Sequence, residues 1–479
     1  MQPFPSLTIR ATELVPEGAF AAAQAAFLSP DPELTRRLDE LLGKHRVGVV
    51  AHFYMDPELQ GVLSACAHPH IHISDSLLMA DSAVKMAEAG MRAIIVLGVD
   101  FMSENVRALL DYAGHRDVPV YRVAADPIGC SLADAARSPA YGAYLTKAAK
   151  TPRSLHVIYI NTSLDVKARA HHLLPTITCT SSNVVQTVLQ TFAQVAGAHV
   201  WFGPDTYMGQ NLAELLRGVQ ELDDAAVHAL HPAHDRRSIA DALERFHYFE
   251  QGACVVHHMF GAEVVATAVR DYQDAFVTAH FEVPGEMFRL ALSAQQQGRG
   301  VVGSTANILS FIARKVKEKA GAGAPARLKF LLGTEAGMIT SIVRQVQQIL
   351  RDAGASGLAA EIIFPVASEA ISQTGESELQ IVPGVSGGEG CGVAGGCATC
   401  PYMKMNSLDA LFDVLGQIAR EEGAGLLRFQ PKSYLDRIAG KSAAELGGEP
   451  ILHMRHLQRT GQLSDALVAD IVNRHTRAS

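Results

Sequence analysis

The sequence has 479 residues, 48% hydrophobic and 19% charged, with a formal net charge of −8. That length exceeds one compact core and implies two to three domains, while the acidic balance argues against a nucleic-acid surface or an anionic membrane partner. The N-terminal residues do not read as a secretory signal peptide and no apolar run reaches a membrane span, so the expected location is cytoplasmic, where the seven cysteines stay thiols suited to metal or redox chemistry.

Residues 1–44 read as a helical extension: an Ala-rich stretch, then Asp31-Pro32-Glu33 opening a helix through Leu42. A first unit follows, with strands over 47–53, 70–74, 93–99 and 118–124 and helices over 75–90 and 103–112. The run at 93–99 is continuously apolar, as expected of a parallel strand covered on both faces. A second unit has strands over 155–160, 176–179 and 198–202 and helices over 164–170, 183–196 and 209–219. The third has strands over 275–280, 300–303 and 328–332 and helices over 285–296, 307–320 and 337–351. A Gly-rich loop over 384–396, a helix over 407–422 and a mixed tail complete the chain. Strand alternating with helix at this spacing predicts a parallel α/β fold. The divisions are an extension over 1–44, αβα domains over 45–150, 151–272 and 273–420, the last with a Gly/Cys-rich insertion, and a C-terminal extension over 421–479.

One pattern recurs in all three units. The first copy reads His52-Phe-Tyr54, Asp75-Ser76, Gly98-Val-Asp100, Cys130; the second Tyr159-Ile-Asn161, Ser181-Ser182, Gly203-Pro-Asp205, Cys254. The third reads His280-Phe-Glu282, Ser304-Thr305, Gly333-Thr-Glu335, Cys400. Self-similarity on this scale points to repeated units. If they close around an approximate three-fold axis, three distant thiols meet in a polar cleft that suits a metal. The strand-end pairs lie where ligands bind in parallel α/β sheets, and hydroxyls at helix starts offer an anion cradle. Taken singly, such a Ser or Thr is usually only an N-cap, and Asp100, Asp205 and Glu335 read equally well as caps. Cys66 and Cys179 read as small packed hydrophobes. The most compact motif is Cys391 to Cys397 and Cys400-Pro401, compatible with an iron–sulfur cluster, structural zinc or a redox disulfide.

The segments HFYMDPELQ, ISDSLLMA, GVDFMSENV, YINTSLDVKARA, CTSSNVV, GACVVH, GSTANIL, GTEAGM and CPYMKMN resemble the quinolinate synthase family, in order from about Val47 to Asn406. The resemblance implies three αβα domains with pseudo-three-fold symmetry around a central active site. It implies a [4Fe–4S] cluster held by Cys130, Cys254 and Cys400, leaving Cys391 and Cys397 as non-ligands. The implied reaction is the condensation of iminoaspartate with dihydroxyacetone phosphate to quinolinate, phosphate and water, in de novo NAD synthesis, with the imine supplied by an aspartate oxidase or dehydrogenase. Tyr54, Tyr159 and Glu282 are then the catalytic candidates. His52, Ser76, Asn161, Ser181, His257, His280, Ser304 and Thr305 are the substrate-binding candidates. Another cluster-bearing hydro-lyase and a non-catalytic zinc protein are the alternatives.

Overall fold

A computed structural model describes residues 3–321, 325–365, 399–420 and 423–477. The loop expected over 384–396, and Cys397 just after it, lie outside the described residues, as does Cys391 within that loop. The chain divides into two compact units, one of Met1–Gly129 with Val255–Pro431 and one of Cys130–Cys254 with Lys432–Ser479.

In chain order the strands begin with β1 (Ser6–Ile9), β2 (Leu14–Glu17), β3 (Val47–His52), β4 (Ile71–Ser74), β5 (Ala93–Leu97) and β6 (Val120–Tyr121). Then come β7 (Ser154–Tyr159), β8 (Thr176–Cys179), β9 (His199–Gly203) and β10 (Phe246–Tyr248). They are followed by β11 (Phe276–His280), β12 (Gly300–Gly303), β13 (Ala326–Gly333) and β14 (Leu358–Ile363). Buried Val, Ile and Leu dominate β3, β5 and β7 on both faces, which is why they sit inside parallel sheets rather than at a solvated edge.

The α/β architecture is built from three sheets that share one topology. The orders are β4-β3-β5-β6, β8-β7-β9-β10 and β12-β11-β13-β14, and every one of these pairings is parallel. Each sheet starts at an inner strand, steps outward, then crosses back to continue on the other side. That reversal opens a crevice at the carboxyl ends of its first and third strands. The first and third sheets belong to one unit and the second sheet to the other.

The stretch 1–44, expected to be helical, opens instead with a hairpin. β1 pairs antiparallel with β14 and β2 with β1, widening the third sheet to six strands. Leu7 and Ile9 are fully buried there, a gain of roughly 1.5–3 kcal/mol each. Strand β14 is missing from the expected set because its Ala and Glu residues are depleted in strands. Glu361 is tolerated in the ladder because Arg327 on β13 places Nε 2.8 Å from its carboxylate.

The C-terminal tail, expected to be mixed, folds into the helices Ala443–Thr460 and Asp465–Arg477, the first packed on Leu164–Leu173. Gly447 permits that approach, since a Cβ there would lie 2.1 Å from the Leu164 carbonyl oxygen. Glu449 fixes the contact by accepting from His171 Nε2 at 3.2 Å and by pairing with Lys441. The His171 hydrogen bond and the Lys441 charge, working against burial, hold the Glu449 carboxyl down at about 2. A depressed carboxyl stabilises the fold above its ordinary value of 4.5 and loses that contribution as pH falls towards about 2. Glu449→Gln should therefore flatten the acid limb of thermal stability across that window. A variant that melts as steeply with acid as the parent would contradict the link.

Candidate active site

In the first unit, three strand ends and one short turn bring the expected residues together. His52 closes β3 with Tyr54 just beyond it, and His280 closes β11 with Glu282 just beyond it. His257 comes from a short 3-10 turn, His257–Met259. A hydrogen-bonded chain runs through these groups. Glu282 Oε2 lies 3.1 Å from His257 Nδ1, His257 Nε2 lies 3.3 Å from Thr334 Oγ1, and Thr334 Oγ1 lies 3.1 Å from the Tyr54 hydroxyl. With the Nδ1 proton donated to Glu282, Nε2 accepts from Thr334, which accepts from Tyr54. The His257 ring stacks on His280 at 4.8 Å, and Tyr54 lies edge-on to His52 at 4.8 Å. All of this is buried except Tyr54, which is half-buried. His257, His280 and Glu282 also offer ligand atoms within 4.8 Å of one another, a geometry able to hold a metal ion.

Burial sets the charge states. It pushes His52 down to about 4 and His280 to about 3, with the Glu282 charge opposing in both cases. Both imidazoles are therefore neutral at ordinary pH. Each accepts a backbone N–H at Nδ1, from Tyr54 at 3.1 Å and from Glu282 at 3.4 Å, which leaves Nε2–H as the donor. Glu335, at the end of β13, is pushed well above the usual carboxylate range by burial and by the Glu282 charge, against a hydrogen bond from the Cys400 N–H. Both causes disfavour ionisation of the Glu335 carboxyl.

The helix starts differ from one copy to the next. Asp75, not Ser76, caps Ser76–Glu88, accepting from Leu77 and Leu78 at 3.1 and 3.0 Å. Ser304 caps Thr305–Ala320 and exchanges hydrogen bonds with Asn307; its hydroxyl is committed locally, and Thr305 is the buried hydroxyl beside it. Ser181, expected to open a helix, lies in a turn before it, because Asn183 starts Val184–Gln194 and bonds back to Thr180 N–H at 2.8 Å. In the second unit Tyr159 ends β7, buried, with Asn161 half-buried two residues on.

The cysteine loops are tied to third-strand ends. Asp100 and Ile128, two residues before Cys130, exchange two hydrogen bonds at 3.0 and 3.1 Å. Gly252, two residues before Cys254, exchanges a pair with Thr206 at 2.7 and 2.9 Å. Ser131 Oγ donates to the Ala253 carbonyl at 3.0 Å, joining the Cys130 and Cys254 loops within the second unit. The Cys400 loop meets Glu335 through its N–H, and Asn406 exchanges hydrogen bonds with Gly98 at 3.1 and 3.2 Å. Each of the three cysteines is half-buried. Burial, reinforced by Asp39, pushes the Cys66 thiol up to about 12, and burial holds the Cys179 thiol well above its usual value. Those two stay protonated and make poor ligands. Cysteine, histidine and glutamate groups of the chain could hold a metal ion.

The family model described as quinolinate synthetase A protein matches residues 36–357. The chain belongs to this family. It is 53% identical over 488 residues to the chloroplastic quinolinate synthase of Nicotiana tabacum, covering 99% of this chain and 68% of that one. The corresponding protein of Arabidopsis thaliana is 51% identical over 486 residues, covering 98% and 67%. The quinolinate synthase of Prochlorococcus marinus is 26% identical over 419 residues, covering 86% and 94%. The chain thus spans about two thirds of the length of its plant relatives and belongs to a family of enzymes. The expectation of a cytoplasmic protein is corrected here: four plant relatives at 51–53% identity are named chloroplastic. Among the described residues no helix is long and apolar enough to cross a membrane.

Two residues outside the candidate set, Thr334 and Glu335, also face these groups. Thr334 and Glu335 stand in the recurring Gly-x-acid step, but the acid reads as a helix cap. Asp205 does cap, accepting from Met208 N–H at 2.8 Å, and Asp100 pairs with Arg122 at 2.6 Å. Glu335 Oε2 is buried and makes no hydrogen bond to the described residues. Its sequence position is equivalent, but its carboxyl is the one raised by burial and the Glu282 charge.

Proposed function

We propose that the chain condenses iminoaspartate with dihydroxyacetone phosphate to quinolinate, with release of inorganic phosphate and water, as a step of NAD biosynthesis. The observation that carries this reading is the Glu282–His257–Thr334–Tyr54 chain of hydrogen bonds. Isomerisation, ring closure and dehydration all require protons to leave one atom of the substrate and arrive at another. A carboxylate at one end of a buried relay and a phenol at the other suit that traffic.

In this reading Glu282 Oε accepts a carbon-bound proton and its charge is balanced by the His257 Nδ1 proton. Tyr54 donates from the opposite end. Neutral His52 and His280 donate Nε2–H to substrate carboxylates. The Ser76 hydroxyl and the start of Thr305–Ala320 offer hydrogen-bond donors to phosphate or carboxylate oxygens. Tyr159, Asn161 and Ser181 orient the substrate from the second sheet. Cys130, Cys254 and Cys400 would hold a [4Fe–4S] cluster, which when bound supplies an iron without a protein ligand as a Lewis acid for the departing hydroxyl. The imine would come from oxidation of aspartate by a separate enzyme. The three-fold arrangement of the sheets belongs to the same proposal, supported by their shared strand order.

Expression in a bacterial strain lacking quinolinate synthase tests the proposal. Growth without added nicotinate is expected. Failure of soluble, iron-loaded protein to restore growth would overturn it.

A further inference from the structure

Two buried side chains outside the relay hold strand-end turns in the same manner. Gln60, in the helix Pro57–Ala65, is fully buried, and its Nε2 donates to the carbonyls of Phe53, Met55 and Gly337 at 2.9, 2.8 and 2.7 Å. Lys167, in Leu164–Leu173, is fully buried too, and its ammonium donates to Ile160 O at 3.1 Å and to Thr162 O. Each side chain reaches back seven and five residues along the chain. Phe53 and Met55 flank Tyr54; Ile160 and Thr162 flank Asn161. A carboxamide and an ammonium thus do one job at equivalent places in two sheets.

Space filling does not explain these residues. A buried amide or ammonium costs free energy unless its hydrogen bonds are met, and an apolar side chain fills the same place in the third sheet. There the residue seven beyond Phe281 is Phe288, fully buried and packed on the Phe281 ring at 5.8 Å. What the polar residues add is a grip on the backbone on either side of a site residue.

For Gln60 the grip has a second jaw. Gly337 lies three residues beyond Thr334, the hydrogen-bond partner of Tyr54. A Cβ at Gly337 would lie 2.9 Å from Phe53 O, 3.0 Å from Met55 O and 3.0 Å from Tyr54 Cα. The Tyr54 backbone therefore rests directly on the Gly337 turn, and Gln60 Nε2 ties both turns together. The two ends of the Tyr54–Thr334 hydrogen bond are held by one side chain.

We propose that Gln60 is a positioning residue that sets Tyr54 against Thr334, and that Lys167 serves Asn161 in the same way. The kinetic readout rests on the function proposed above; the exchange readout does not. Gln60→Met keeps the volume and removes the donors. Its kcat should fall about 10- to 100-fold with KM changed by less than about threefold. Iron and sulfide content should be unchanged, and amide hydrogen exchange at Tyr54 and Met55 should quicken. In a Tyr54→Phe background the same substitution should lower kcat by less than about twofold, because the bond it positions is already gone.

Gln60→Lys supplies the donor used in the second sheet. It should keep exchange protection over 53–55 and more kcat than Gln60→Met. If Gln60→Met fails to fold, loss of that protection in Gln60→Lys alone overturns the proposal. Independent, multiplicative losses in the double variant would also overturn it, as would unaltered exchange in Gln60→Met. A parent that makes no quinolinate would remove the functional reading, while the exchange result would still decide the clamp.

Discussion

Replacing Glu282 by Gln should leave the protein folded and its iron bound while lowering quinolinate formation about 10²- to 10⁴-fold. The side chains are nearly the same size, and a carboxamide can still hydrogen-bond His257 in place of the carboxylate at 3.1 Å. It cannot take up a proton. The neighbouring charges argue that the defect will be confined to that step. Glu282 opposes the burial that depresses His52 and His280, so its loss moves both further down and leaves them neutral as before. Glu335 loses a like charge and its raised carboxyl relaxes downward. Comparison of iron content and turnover in the same preparation checks the prediction. Undiminished turnover would remove Glu282 from the acid–base role.

Serine at Cys130, Cys254 or Cys400 should abolish the cluster, with loss of most iron and sulfide and no measurable quinolinate. Cys66→Ser should retain all three, because that thiol is pushed up to about 12 and stays protonated beside Asp39. Cys397→Ser should likewise keep its iron. Iron and sulfide analysis on anaerobically purified variants reads this directly. The colour separates the competing metals: a cluster makes the protein brown, whereas a structural zinc centre leaves it colourless. A Cys130→Ser variant retaining a full cluster would sink the assignment.

The strand ends were the most legible part of this chain. Apolar runs such as 93–97 mark inner parallel strands, and the polar residues that close them fall at the switch point of each sheet because the topology repeats. Less was legible where residues act through distant partners. His257 lies 25 residues before Glu282 on an irregular turn, and nothing in its spacing announces the contact. Thr334 looks like a linker between Gly333 and an acid until the Tyr54 hydroxyl is found on it. Gln60 lies in a helix absent from the predicted elements, Pro57–Ala65, and is fully buried and turned towards three carbonyls. Glu361 hid β14 because a charge inside a strand is tolerated only when a neighbour such as Arg327 compensates it. Ser181 and Ser304 show the opposite limit: the same residue type in the same repeat position serves a turn in one copy and a cap in another.

The central claim is that thiol-held iron and the Glu282–Tyr54 relay together perform one condensation. The most direct measurement incubates anaerobically purified, iron-loaded protein with dihydroxyacetone phosphate and freshly generated iminoaspartate, and quantifies quinolinate and inorganic phosphate in the same sample. The account predicts equal amounts of both. Phosphate without quinolinate, or neither product from protein with its full complement of iron and sulfide, would contradict it.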